Sequence, residues 1–244
     1  KTEQNLLVYA SNGHGAWEAA LVNTLEPGDR ILMIESGRFS ESWTEMAQAL
    51  GYEVETLAAE WRRGVDPNRL AERLKQDGKG VIKAVLTVHN ETSTGMASPI
   101  AQLRAAMDAA KHPALLMVDT ISSLASLDFR MDEWGVDIAV GGSQKGLMMT
   151  TGLGFTGISH KAMERSKSTK TLRGYFRWSD MLSMKPQRFP GTTPVHMFLG
   201  LDESLKIIEE EGLDQVFARH KRLATATRAA IRHWGGNSTC EATI

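Results

Sequence analysis

The sequence predicts an α/β fold: a doubly wound, mostly parallel sheet with helices on both faces. Three observations lead there. Short apolar runs alternate with helical segments of about 10–15 residues, the pattern of strand–helix–strand units. Two of those runs end on groups able to do chemistry. Ala114-Leu115-Leu116-Met117-Val118 ends on Asp119-Thr120, and Ile138-Ala139-Val140-Gly141-Gly142 runs into Ser143-Gln144-Lys145-Gly146. A glycine turn, Asn12-Gly13-His14-Gly15, opens a helix behind the first strand. In such sheets ligands bind at the carboxyl ends of the strands.

In chain order, Leu6–Ala10 reads as the first strand. Ala16–Leu25 reads as a helix with Asn12 as its cap, ended by Pro27-Gly28-Asp29. Arg30–Ile34 is a strand, Ser40–Leu50 an amphipathic helix and Tyr52–Leu57 a strand. A helix runs from Asp66 to Gln76, with Pro67 in its first turn. Val81–Val88 is apolar apart from Lys83 and reads as a central strand. The polar loop His89-Asn90-Glu91-Thr92-Ser93-Thr94-Gly95 lies at its carboxyl end. Pro99–Lys111 is a helix, and Leu115–Val118 is the strand that delivers Asp119. Met131–Trp134 reads as a short helical piece, Val136–Val140 as the strand leading to Lys145, and 152–158 as a further strand. Val195–Glu211 and Leu213–His233 read as long helices parted by Gly212, with their charge clusters as solvated faces.

Composition bounds the function. The chain has 244 residues, 42% of them hydrophobic, enough for one large core or a core plus an appendage. A net charge of −1 argues against a broad basic surface for nucleic acid. Arg173-Gly174-Tyr175-Phe176-Arg177-Trp178 is too short and isolated to change that. The single cysteine, Cys240, excludes an internal disulfide, fits a reducing compartment, and reads as incidental. No apolar run approaches the roughly 20 residues of a membrane helix, and no signal peptide is expected. No His/Cys cluster has metal-ligand spacing.

The chemistry-bearing groups leave two readings each. Lys145 is either a solvated lysine at a strand end or a partly desolvated amine able to form a Schiff base with an aldehyde. Asp119 facing the same ligand would keep a ring nitrogen protonated, and the pair suits pyridoxal phosphate. The turn at Gly13 and His14 is either an ordinary capped helix or a phosphate site built from free N–H groups and the helix dipole. There the backbone N–H of His14 is preferred over its ring.

Five motifs stand in one order. They are Asn12-Gly13-His14-Gly15-Ala16-Trp17-Glu18-Ala19, Leu25-Glu26-Pro27-Gly28-Asp29, His89-Asn90-Glu91-Thr92-Ser93-Thr94-Gly95, Val118-Asp119-Thr120-Ile121-Ser122-Ser123-Leu124 and Gly142-Ser143-Gln144-Lys145-Gly146. With them the chain resembles the class V aminotransferases of the fold-type I pyridoxal-phosphate enzymes. It is most similar to the serine–glyoxylate and alanine–glyoxylate aminotransferases, from about Tyr9 to Thr239. The resemblance implies that Lys145 holds the cofactor and Asp119 pairs with its ring nitrogen. It implies phosphate contacts from Asn12, Gly13 and His14, and a cofactor contact from Gln144. Phe39 would stack on the pyridine face, where most relatives carry tryptophan or another ring, and is otherwise simply core. Ile121 would pack on the opposite face. Thr92 would touch the cofactor, unless it and its neighbours merely cap the next helix. His89 and Glu91 would shape the substrate side. The loop Phe189-Pro190-Gly191-Thr192-Thr193-Pro194 would cross a homodimer, with Thr192 reaching the partner's phosphate. Several relatives have tyrosine where this chain has Phe189, which puts one phosphate contact in question. Residues 1–235 would then be the cofactor-binding large domain, and 236–244 the start of a small C-terminal domain.

The activity implied is transfer of an amino group to glyoxylate, giving glycine and a keto acid, in the cytoplasm. Serine is the first donor; aspartate and alanine are alternatives. Its partners are small amino and 2-oxo acids, with no nucleic acid and no membrane. A lyase of the same fold, such as a cysteine desulfurase, needs a nucleophilic cysteine, and Cys240 is poorly placed. A nicotinamide domain needs Gly-x-Gly-x-x-Gly, and Glu18 stands where the third glycine belongs. A non-catalytic assembly protein retaining the fold is the remaining alternative.

Overall fold

The computed structural model describes residues 2–59, 64–183 and 189–236. The chain begins with β1 (Asn5–Ala10), α1 (Gly13–Thr24), β2 (Arg30–Glu35), α2 (Arg38–Ala49), β3 (Glu53–Ala58) and α3 (Pro67–Gln76). Next come β4 (Ile82–Val88), a two-residue ribbon of β5 (Asn90–Glu91) with β6 (Met96–Ala97), and α4 (Ile100–Ala109). Then follow β7 (Leu115–Asp119), β8 (Ile138–Gly142), β9 (Leu153–Ile158), α5 (His160–Ser168) and α6 (Trp178–Ser183). Two long helices close it, α7 (Val195–Glu211) and α8 (Leu213–His233).

The seven-stranded sheet has the order β1-β9-β8-β7-β4-β2-β3. From β8 to β3 every pair is parallel; β9 is antiparallel to β8, and β1 antiparallel to β9. The mostly parallel, doubly wound sheet expected from the alternation is therefore present. Period-two alternation decides which face each residue serves. Ile31, Met33, Leu86, Leu115 and Met117 pack under α1 and α2 with Trp17, Leu21 and Trp43. Their neighbours Leu32, Ile34, Val85, Leu116 and Val118 pack on the other face with Leu70 and Leu74 of α3 and Leu103 and Met107 of α4. Both faces are covered, so β7 is buried along its whole length, as parallel strands are.

α1 is buried nearly all round, from Ala16 and Trp17 to Val22, which a helix apolar on every side requires. The helices α7 and α8 form a smaller cluster with Leu147, Leu153 and Phe155.

Several elements depart from the sequence pattern. α5 and α6 are helices the apolar periodicity does not mark. In α5 just Ala162 and Ser166 are buried, and the start is set by Ser159, whose side chain accepts Ala162 N–H. α6 is anchored by Trp178, whose Nε1 donates to Tyr9 Oη at 2.8 Å. The piece at Met131–Trp134 is a set of turns, closed by Trp134 N–H to Arg130 O at 2.9 Å. Cys240 and residues 237–244 lie outside the described residues, as does most of the expected start of a C-terminal domain.

Candidate active site

Three parallel strands end side by side. Val88 of β4 is in register with Asp119 of β7, and Asp119 with Val140 of β8. The amino end of α1 opens onto the same edge. Together they bound an open cleft. Gly13, His14 and Trp17 of α1 line it, with Phe39 at the start of α2. Val88, Asn90 and Thr92 line it from β4 and the loop beyond. Asp119, Ile121 and Ser122 come from the end of β7, and Gln144 and Lys145 from the turn after β8.

Asp119 is 3% exposed. Its Oδ1 accepts Ile121 N–H at 2.7 Å, and its Oδ2 accepts the indole Nε1–H of Trp17 at 2.7 Å. Burial pushes its carboxyl up to about 7 against the pull of these two bonds, and the charge of Glu91 pushes the same way. The protein alone therefore holds Asp119 near its titration midpoint at neutral pH. A cation placed in the cleft would bring it back to the charged form.

Lys145 lies at the cleft, as expected, yet its side chain is exposed. The expected partial desolvation is not provided by the described residues. The reason is topological. β8 ends at Gly142, so Lys145 sits in a turn beyond the sheet. That turn is well held: Met148 N–H donates to Lys145 O at 2.8 Å, and Ser143 Oγ donates to Thr150 O at 2.7 Å. Gly146 allows the close approach, since a β-carbon there would lie 2.2 Å from Leu124 O. Gln144 Oε1 is buried and takes no donor among the described residues.

Asn12 acts as the cap of α1, its side-chain oxygen accepting Gly15 N–H at 3.3 Å, and it does not line the cleft. The N–H groups of Gly13 and His14 have no acceptor within the helix. Gly13 lets Ile121 come close: a β-carbon there would lie 2.1 Å from Ile121 Cδ1. Thr192 is exposed and outside the cleft.

His89 and Glu91 do not line the cleft. The resemblance expects them to shape the substrate side; in the structure both stand behind the cleft wall. His89 is turned behind the sheet, its Nδ1 2.9 Å from Ser123 Oγ and its ring against Phe129 and Trp134. Burial pushes it down to about 4. Glu91 is fully buried and accepts from Phe39 N–H and Ser40 N–H through Oε2, and from Ser93 through Oε1. It holds the first turn of α2, and Phe39 with it. Asn90, one residue earlier, faces the cleft instead.

Reading by residue type passed over Trp17 as a site residue. Its signal was spacing: it follows Gly13 by one helical repeat and so shares the cleft-facing side of α1. Ser122 and Val88 were also passed over, because neither carries a group that stands out in sequence.

Residues 2–242 match the family described as aminotransferase class-V. The chain belongs to the class-V aminotransferases. The serine–glyoxylate aminotransferase of Hyphomicrobium methylovorum is 48% identical over 94% of this chain and 58% of that protein. The L-aspartate–glyoxylate aminotransferase of Paracoccus denitrificans is 47% identical over 96% of this chain and 59% of that protein. The solved alanine–glyoxylate aminotransferase of Nostoc superposes with a TM-score of 0.86 at 27% identity, over 95% of this chain and 62% of that one. The chain thus spans less than two thirds of the length of these relatives.

Class-V aminotransferases are pyridoxal-phosphate enzymes. The cleft of this member fits that cofactor. The α1 terminus at Gly13 and His14 suits a phosphate. Phe39 and Ile121 offer apolar walls for a ring. Asp119 is an acid at the cleft floor suited to a ring nitrogen. Lys145 supplies the amine, and Gln144 Oε1 a buried acceptor that takes no donor among the described residues.

Proposed function

We propose that this chain is the cofactor-binding part of an aminotransferase that moves an amino group from an amino acid to glyoxylate, giving glycine and a 2-oxo acid. The observation that carries the reading is the meeting of Asp119 and Lys145 in one cleft, beside the free end of α1. When bound, the cofactor supplies an electron-withdrawing ring that stabilises negative charge on the substrate Cα. The residues of this chain have the following roles. Lys145 Nζ would hold the cofactor and would carry a proton to and from the substrate Cα. Asp119, in its charged form, would keep a proton on a ring nitrogen of the cofactor. Gly13 and His14 hold the phosphate by their backbone N–H groups. Phe39, Ile121, Thr92 and Gln144 define the slot, and Asn12 shapes the phosphate end by capping α1.

The protein works as a homodimer, with Thr192 serving the partner subunit's phosphate; its exposed position outside its own cleft supports this. The described residues up to 235 form the cofactor-binding domain. One cysteine in 244 residues suits the cytoplasm. Among the described residues no helix is long and apolar enough to cross a membrane. Serine is the donor favoured by overall resemblance, ahead of aspartate and alanine.

Half-reactions of the full-length enzyme test the reading. Serine alone should change the cofactor's visible absorbance, and glyoxylate should then restore it while glycine forms. If aspartate or alanine does this and serine does not, the donor is wrong. If none does, transamination is wrong.

A further inference from the structure

The second oxygen of Asp119 has a side-chain donor, and that donor is locked. Trp17 is fully buried and stacks on Trp43, with ring centroids 5.4 Å apart and planes 12° from parallel. Its ring also meets that of His14 at 4.5 Å. The stack leaves the indole Nε1–H aimed at Asp119 Oδ2. Trp17 lines the cleft as well, so it stands between the α1 terminus and the acid at the cleft floor.

We infer that Trp17 is a positioning residue, whose indole N–H fixes the orientation of the Asp119 carboxylate and favours its charged form. The purpose of this rests on the aminotransferase reading above. The reasoning is one of balance. Asp119 is buried, and the cause that dominates there is desolvation, which favours the neutral acid. Two hydrogen bonds oppose it, and such bonds favour the charged form because a carboxylate accepts more strongly than an acid. One comes from a backbone N–H, which side-chain substitution cannot remove. The other is the indole. A carboxylate has about four acceptor sites, so two donors still leave room for a donor in the cleft.

The charged and titratable groups around Asp119 do not replace this role. Glu91 in the ribbon pushes towards the neutral form. His89 follows β4 and donates its backbone N–H to Asp119 O at 2.9 Å, while its ring is held neutral down to about pH 4. His14 of α1 touches Trp17, and Lys145 lines the same cleft.

The test uses the full-length enzyme, cofactor-free and 15N-labelled, and follows two N–H signals with pH. The Ile121 amide and the Trp17 indole both donate to Asp119, so both should move with one midpoint near 7. If the indole signal does not follow the amide, the inference is overturned, and this comparison needs no variant. In Asp119→Asn the shared inflection should vanish. If it persists there, it belongs to another group, and the inference again falls. Trp17→Phe keeps a ring for the stack and removes the donor. The amide midpoint should then rise by about one to two pH units, the size expected for one hydrogen bond to a charged group. An unchanged midpoint would show that the indole does not hold the charge. Attachment of the cofactor to Lys145 is measured separately, in the wild type. Its absence would sink the aminotransferase reading and leave the titration result standing.

Discussion

Glu91 holds Phe39 in place. The Glu91 Oε2 accepts Phe39 N–H at 3.1 Å and Ser40 N–H at 3.3 Å, while Oε1 accepts Ser93 N–H at 3.0 Å and Ser93 Oγ–H at 2.8 Å. One buried carboxylate thus caps α2 and ties its first turn to the loop that carries Thr92. Its charge at a helix amino end is also favoured by the helix dipole. Glu91→Gln keeps the size but sets an amide donor against N–H donors. The variant should lose about 1–3 kcal/mol of stability. Urea unfolding of the cofactor-free, full-length protein measures this, and an unshifted midpoint would remove the tie.

Gly13 and Ile121 offer a different split. The atom nearest a β-carbon on Gly13 is Ile121 Cδ1, the tip of a half-buried side chain. In Gly13→Ala that tip can swing away into the cleft. Stability should change by less than about 1 kcal/mol. Cofactor retention should fall roughly 10-fold, the effect of about 1.4 kcal/mol. Dialysis against buffer, with the remaining cofactor measured over time, checks it. Equal retention in the two proteins would show that Ile121 does not border the bound ring.

Lys145 is expected to carry the cofactor. Borohydride reduction, digestion and mass spectrometry should place a pyridoxyl adduct on its peptide. An adduct on Lys83 or Lys161, which line a separate cleft, would sink the assignment.

His89 gives a pH signature of stability. Its folded value is pushed down from 6.5 to about 4 by burial. A depressed value means that the unfolded chain takes up the proton first. The contribution of His89 is therefore whole above about pH 6.5 and is lost as pH falls towards 4. Wild-type stability should drop more between pH 7 and pH 5 than that of His89→Gln, whatever their absolute difference. Parallel slopes in a pH series of melting curves would contradict the buried, neutral state.

Thr192 is tested by mixing two inactive full-length variants, Lys145→Ala and a Gly191→Trp/Thr192→Ala double variant. In a two-fold dimer each subunit serves the other. A heterodimer would then place both lesions in one site and leave the other intact. Activity should return towards half of the heterodimer fraction. Confirmed subunit exchange without activity would mean that the loop acts within its own subunit.

The sequence by itself determined the sheet and the edge on which the site lies. Apolar runs that end abruptly on Asp119 or run into Gln144 and Lys145 state where strands stop. A chain of parallel strands must bring those stops to one edge, whatever the side chains do. The glycines before α1 declared a helix terminus for the same local reason. What surrounds each group was decided by tertiary structure alone. Trp17 finds Asp119 because α1 lies across β8 and β9, a matter of packing between residues far apart in the chain. Glu91 turns towards α2 while Asn90 turns to the cleft, since neighbours in a strand face opposite ways and the register chooses between them. Lys145 is exposed because the strand that carries it has already ended. Orientation, burial and partnership belong to the assembled sheet. They depend on which surfaces meet, and no stretch of sequence read alone contains both surfaces.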